Sequence, residues 1–183
     1  MGQARHDRQN CGRCLGQRVM SRPSALDSKE IVEGDTTMTM TAGITPDGTG
    51  IDGLQWNVLG QTYVPKQLSD SSFSWHATFP PGTFVPPHLH PTQDEFIYMF
   101  DGRFDLVLDG QSESAGPGDL IRLPRGISHG IFNNTENPVT CLFWVTPTGK
   151  LFDLFTRIHN VADPAEVVRI AAEHEVEFLP PEA

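Results

Sequence analysis

Between residues 82 and 133 the chain carries two spaced blocks, Gly82-x5-His88-x-His90-x4-Glu95-x6-Gly102 and Gly118-x5-Pro124-x-Gly126-x2-His129-x3-Asn133. Three imidazoles and one carboxylate at such spacings make a donor set for a metal ion. His88 and His90 are two residues apart, so on an extended strand both side chains leave the same face and can grip one ion. Glu95 follows at an odd offset, which on a straight strand would put it on the opposite face. Pro91-Thr92-Gln93-Asp94 has the composition of a turn that resolves this. A strand restarting at Glu95 can then aim its carboxylate back at the imidazoles, while His129 arrives from a third segment. A closed, curved sheet brings four such groups together, and this requirement constrains the fold more than any other feature of the chain. Gly82, Gly102, Gly118, Pro124 and Gly126 serve as backbone punctuation where the chain turns or segments approach closely.

From about residue 53 onward the sequence is nearly all β. Short runs at 54–59, 72–79, 95–100, 104–108, 119–123, 129–132 and 139–145 are separated by turn chemistry, and Asp101-Gly102 and Asp109-Gly110 are hairpin signals. Many short strands at near-regular spacing suit a small barrel or jelly roll. After Pro147 the pattern changes. Residues 150–158 space their apolar side chains as a helix does. Asp163-Pro164-Ala165-Glu166 has the form of a helix start, with Asp as N-cap, Pro at the first helical position and Glu at the third, which predicts a helix from 164 to about 174. Both helices are expected to pack against the outside of the barrel, with His159 and His174 as surface or helix-end residues.

The two blocks match the two sequence motifs of the cupin superfamily, and the chain resembles cupins from about residue 54 to about 147. Phe79-Pro80-Pro81-Gly82, the Pro86-Pro87-His88-Leu89-His90 entry and the tail after Pro147 look most like small single-domain cupins of the quercetin-dioxygenase-like group. The resemblance implies an all-β double-stranded β-helix, or jelly-roll barrel, with short C-terminal helices. It also implies His88, His90, Glu95 and His129 as metal ligands, and a homodimer formed by pairing sheets. The domain organisation expected is a disordered or extended leader at 1–38, the barrel at 39–147 and a helical extension packed on it at 148–183.

The length suits one domain with a real core, and the 38% hydrophobic and 20% charged content is ordinary for a soluble globular protein. The polar start of the chain has no apolar core of a secretory signal, and the expected compartment is the cytoplasm. A formal net charge of −10 argues against nucleic acid or an anionic membrane as partner. It also disfavours a heavily phosphorylated substrate, since Arg103, Arg122 and Arg125 are the only cations near the motifs. Cys11-Gly12-Arg13-Cys14 has the CxxC form but no second pair and no strand–helix context, so it is read as part of the leader, with Met20 as an alternative start. Cys141, in an apolar run, is expected to be a buried thiol.

If Glu95 faces inward, Ile97 and Met99 share its side, and Phe96, Tyr98 and Phe100 face the other way. The same parity turns Ile131 inward with His129. Ile97, Met99 and Ile131 are therefore the expected pocket lining. His76 alternates with Trp75 and Ala77 on the barrel wall and is a further pocket candidate, while Gln93 and Asp94 are expected at the rim. Apolar neighbours around such a centre point to a small, largely apolar partner, aromatic or enolic, presenting one or two oxygens to the metal. Imidazole and carboxylate ligands suit one divalent transition ion, Fe2+ or Mn2+ foremost, with Ni2+, Co2+ and Zn2+ as alternatives. The function this implies, through the resemblance, is a dioxygenase that cleaves its substrate with O2, with Glu95 as general base. The alternatives are a non-redox lyase, isomerase or cyclase, and a metal- or ligand-binding cupin without catalysis.

Overall fold

A computed structural model describes residues 40–180. The leader, its CxxC pair and the alternative start lie outside the described residues. The strands in chain order are β1 (Trp56–Val58), β2 (Gln61–Leu68), β3 (Phe73–Phe79), β4 (Phe84–Leu89), β5 (Asp94–Asp101), β6 (Phe104–Leu108), β7 (Gln111–Ala115), β8 (Leu120–Leu123), β9 (His129–Phe132), β10 (Val139–Thr146) and β11 (Glu177–Phe178). Helices α1 (Leu151–Ile158) and α2 (Pro164–Glu173) fall between β10 and β11. The strands form two antiparallel sheets, sheet A in the order β1-β2-β3-β10-β5-β8 and sheet B in the order β11-β4-β9-β6-β7. This is a jelly-roll arrangement: after the β1–β2–β3 meander, and apart from the β6–β7 hairpin, successive strands alternate between the sheets.

Strict alternation builds the core. Along β3, Phe73, Trp75, Ala77 and Phe79 are buried while Ser74, His76 and Thr78 are not; along β10, Val139, Cys141, Phe143 and Val145 repeat the pattern. The two strands are paired so that Trp75 sits opposite Phe143 and Ala77 opposite Cys141, and their inward sets form one continuous face. Cys141 is a buried free thiol, as its apolar run predicts.

The two Asp-Gly signals have different outcomes. Asp109-Gly110 closes a hairpin between β6 and β7, with Leu108 opposite Gln111 and both turn residues at positive φ (49° and 75°). Asp101-Gly102 instead carries the chain from sheet A to sheet B, because β5 and β6 belong to different sheets. A side chain at Gly102 would run into the Pro138 carbonyl at 2.9 Å, so close approach of backbone, rather than hairpin formation, accounts for this glycine.

The helices differ from expectation in where they dock. Asp163 caps α2 through a hydrogen bond from the Ala165 N–H at 3.0 Å, as the capping signature requires. The apolar stripe of α1, however, covers the inner face of sheet A and not its outside. Phe155 packs within 5.0 Å of the Tyr63 and Trp75 rings and within 6.0 Å of Trp56 and Phe73, measured between ring centres, and all four belong to the inward set. Sheet B leaves the β1–β2 side of sheet A uncovered, and burying those aromatic faces is what fixes the helices there. His174 is the helix-end residue expected, at the C-cap of α2, but it is buried. It is 3% exposed and joins the two helices, its Nδ1 donating to the Ile170 carbonyl and its Nε2 meeting Asp153 Oδ2 at 2.8 Å. His159 is held at the surface, where its Nδ1 accepts the Asn57 N–H. Among the described residues no helix is long and apolar enough to cross a membrane.

Candidate metal centre

His88, His90, Glu95 and His129 converge, with one donor atom of each lying within 4.8 Å of all the others. Sheet B supplies the imidazoles and sheet A the carboxylate. His88 is in β4 and pairs across the ladder with His129 at the start of β9, while His90 follows directly on β4. The segment after His90 does not double back within its sheet. It crosses to sheet A, and β5 opens with Asp94, so Glu95 faces the imidazoles from the opposite wall.

Local sequence explains the placement. Pro86-Pro87 offers no backbone N–H, and the β4–β9 register shifts between Val85 and His88. The Pro86 carbonyl is thereby free to accept from His88 Nδ1 at 2.9 Å. The Ile127 carbonyl accepts likewise from His129 Nδ1 at 3.1 Å. Because a carbonyl only accepts, both imidazoles carry their proton on Nδ1 and turn Nε2 toward the cluster. The Pro124-x-Gly126 turn is tied to the ligands as well: Gly126 N–H donates to the His90 carbonyl at 2.8 Å, and Arg125 clasps the Asp94 carboxylate through its backbone N–H and guanidinium. Asp94 lies at the rim, as expected. Gln93 does not; it is 1% exposed, with its amide nitrogen donating to the Pro147 and Thr148 carbonyls at the approach to α1.

These residues fit a bound cation. Glu95 Oε2 lies 3.0 Å from His129 Nε2 and 3.6 Å from His90 Nε2. With Nδ1 protonated, a neutral His129 points a lone pair at a carboxylate oxygen, an arrangement that only a proton or a cation between them makes favourable. His90 is 3% exposed, and neither of its ring nitrogens has a hydrogen-bond partner among the described residues. Buried polar atoms are rarely left so. A metal ion would satisfy the first anomaly and one of the two His90 ring nitrogens.

The electrostatics follow from burial and proximity. For Glu95, burial pushes the carboxyl up, but the imidazoles of His129 and His90 beside it outweigh this and hold the group well below the usual carboxylate range. For His88, burial and then the neighbouring His129 and His90 push the imidazole down to about 3. The centre therefore sets an ionised Glu95 near a His88 imidazole that resists protonation, the state a divalent cation needs of these two groups.

His88, His90 and Glu95 are part of the lining of a cavity of about 90 Å³ whose remaining walls are mainly apolar and include Leu154, Phe155 and Val167 of the helices. Ile131 lines this cavity, as parity predicts. Ile97 and Met99 lie on the Glu95 side and are fully buried, but they pack into the core between the sheets and are not part of the cavity wall. His76 is on the other face altogether. Its ring packs 5.5 Å from Phe100 on the outside of sheet A, near Lys66, so it takes no part in the cavity. Trp75 and Ala77 are the inward members of that alternation. Gln61, Tyr63 and Trp75 also line the cavity, and the sequence reading did not single them out as site residues. The alternation of Gln61 and Tyr63 after Gly60 is the signal for the first two, obscured by Pro65 and the polar residues of β2.

The Cupin domain family model matches residues 75–145, the stretch from β3 to β10 that holds all four candidate ligands. The fold also matches a solved RmlC-like cupin from Shewanella frigidimarina, at a TM-score of 0.55 and 16% identity over 63% of this chain and 99% of that one. Residues 75–145 are a cupin domain, set in a fold of the cupin kind. Among curated cupin relatives, the tetracenomycin polyketide synthase protein TcmJ of Streptomyces glaucescens is 24% identical over 63% of this chain and 78% of its own length. Quercetin 2,3-dioxygenase of Bacillus subtilis is 32% identical over 50% of this chain, but the match spans only 27% of that larger protein.

Proposed function

We propose that this cupin is a metal-dependent enzyme. In this reading His88, His90, Glu95 and His129 hold one divalent transition ion, Fe2+ or Mn2+ foremost, and a small aromatic or enolic substrate occupies the adjoining cavity and reacts with O2. The observation that carries it is the convergence of four buried donor groups, three of which line a mainly apolar cavity. The ion, when bound, supplies open coordination positions and redox or Lewis-acid chemistry. The chain supplies the rest. The apolar walls exclude water and favour a flat, uncharged ring over a phosphorylated sugar. Glu95 accepts the substrate hydroxyl proton on a carboxylate oxygen as it loosens from the cluster, since beside His129 and His90 the carboxylate is held well below its ordinary range and is too weak a base.

A second reading, a cyclisation or lyase step without oxygen, is supported by the longer match to TcmJ than to the dioxygenase. The two readings separate in one experiment. Metal-free protein is reloaded with Fe2+, Mn2+, Ni2+ or Zn2+ and offered flavonols, catechols, hydroxybenzoates and 1,3-diketones in an oxygen electrode. Uptake that needs both substrate and a redox-active metal, and is lost in His88→Ala, supports the dioxygenase. Product formed without uptake, with Zn2+ as competent as Fe2+, replaces it with the second reading. Tight metal binding with no turnover of any compound defeats both. We also assign the outer face of sheet A, where Tyr98, Phe100 and Leu120 are exposed among the described residues, to pairing with a second copy of the chain, following the pairing of sheets that the family resemblance implies.

A further inference from the structure

The cavity wall contains polar groups that the ligand set does not use. On β2, Gln61 and Tyr63 point inward and are 2% and 5% exposed. Gln61 Nε2 donates to the Phe84 carbonyl at 2.9 Å, which fixes the amide so that its Oε1 accepts from the Tyr63 hydroxyl at 2.5 Å. Tyr63 is thereby held in one orientation with its oxygen lone pairs still available. Burial foremost, then the charges of Glu95 and Cys141, pushes the phenol well up, so it stays protonated and serves for hydrogen bonding rather than as a base.

On the next strand Trp75 is 2% exposed, and its indole Nε1 has no acceptor among the described residues. A fully buried N–H without an acceptor is rare in folded proteins and unfavourable. The surrounding rings account for the faces of the indole: Phe143 stacks on it at 5.1 Å and Phe73 at 4.9 Å, while Phe155 stands edge-on at 5.0 Å. None of these carbon rings offers an oxygen or nitrogen acceptor. Trp75 belongs to the cross-strand row Trp75, Phe143, Ile97. It therefore starts two strand spacings, about 10 Å, from the strand that carries Glu95.

We infer that the Trp75 indole N–H, beside the Tyr63 hydroxyl held by Gln61, is a substrate-recognition subsite for an oxygen acceptor, a carbonyl or phenolic oxygen across the ring from the oxygen that faces the four ligands. This rests on the placement of an aromatic or enolic substrate in the cavity. It adds that the substrate carries two oxygens on opposite sides, with Trp75 selecting for the second. Trp75 is a specificity residue here and stays clear of the reacting atoms.

The test uses the full chain, 15N-labelled and loaded with redox-silent Zn2+, titrated with 1,5-dihydroxynaphthalene and separately with 1-naphthol. The chain has three tryptophans, so three indole N–H signals are expected, and the one absent in Trp75→Phe is Trp75. The expected result is a downfield shift of the Trp75 indole proton with the diol and none with 1-naphthol. Trp75→Phe then weakens diol binding by at least about tenfold and changes 1-naphthol binding by less than about twofold. Saturation by the diol with the Trp75 signal unmoved overturns the inference, and that observation needs no variant. So does an equal loss of both affinities in Trp75→Phe, or failure of both compounds to bind. The outcome is independent of turnover: oxygen uptake with an unmoved indole defeats this subsite alone, and a responsive indole without turnover defeats the enzyme and leaves the subsite.

Discussion

His90 is the candidate ligand whose surroundings depend most on a cation, because among the described residues its ring nitrogens are buried and unpartnered while Nδ1 of His88 and of His129 is anchored to a backbone carbonyl. Glu95→Gln keeps the volume but removes the only negative charge in the set, and is expected to lower Mn2+ or Zn2+ affinity by at least about tenfold with the fold intact, measured by calorimetric titration. Unchanged affinity would remove Glu95 from the ligands. Acid should act on the metal-free protein through the same groups. The His88 imidazole falls from 6.5 in the unfolded chain to about 3 in the folded one. Below about 6.5 the unfolded chain therefore takes up a proton that the folded chain refuses. The contribution to stability is fully present above 6.5 and is lost as pH falls toward 3. Glu95, also held below its ordinary value, acts in the same direction at lower pH. A denaturant midpoint of metal-free protein that is flat or rising from pH 7 to 4 would contradict this.

At the scale of elements, the helices act as a wall of the cavity. Phe155 meets four inward rings, and Phe155→Ala should cost about 3–5 kcal/mol in chemical denaturation. A loss below about 1 kcal/mol would mean that the helix rests lightly on the barrel. What the sequence made legible follows a physical division. Strands with clean alternation, such as β3 and β10, and the motif-bearing segments could be read directly, as could α2 from its Asp-Pro-Ala-Glu start. β2 could not, because Pro65 and Lys66 break its pattern and its register shifts between Pro65 and Gln67. The cavity residues Gln61 and Tyr63 went unseen with it. Parity told that Ile97 and Met99 face inward, but only packing decides which inward residues border open space. His76 was undecidable because parity relates neighbours on a strand to one another without saying which set faces the core.

For the whole molecule, barrel and helices share one apolar core, and a ligand that binds only the folded state stabilises all of it. A saturating divalent ion at about 100 times its dissociation constant should add about 2.7 kcal/mol, raising the melting temperature by roughly 5–10 °C. A calorimetric scan showing no shift, or a shift confined to a minor transition, would separate the centre from the core. If the outer face of sheet A pairs two copies, Tyr98→Lys combined with Phe100→Lys should shift the mass in light scattering from dimer to monomer while leaving metal content unchanged. A wild-type chain that is monomeric at all concentrations would remove that assignment.

The short strand β11 places Phe178 opposite His88 and Glu177 opposite Leu89, and the Leu179 N–H donates to the Pro87 carbonyl. It thereby occupies the flank of β4 that would otherwise be an open row of peptide groups. Open rows of that kind recruit strands from other chains and seed aggregation. In this protein the last described strand also guards the strand that carries His88 against becoming a template for self-assembly.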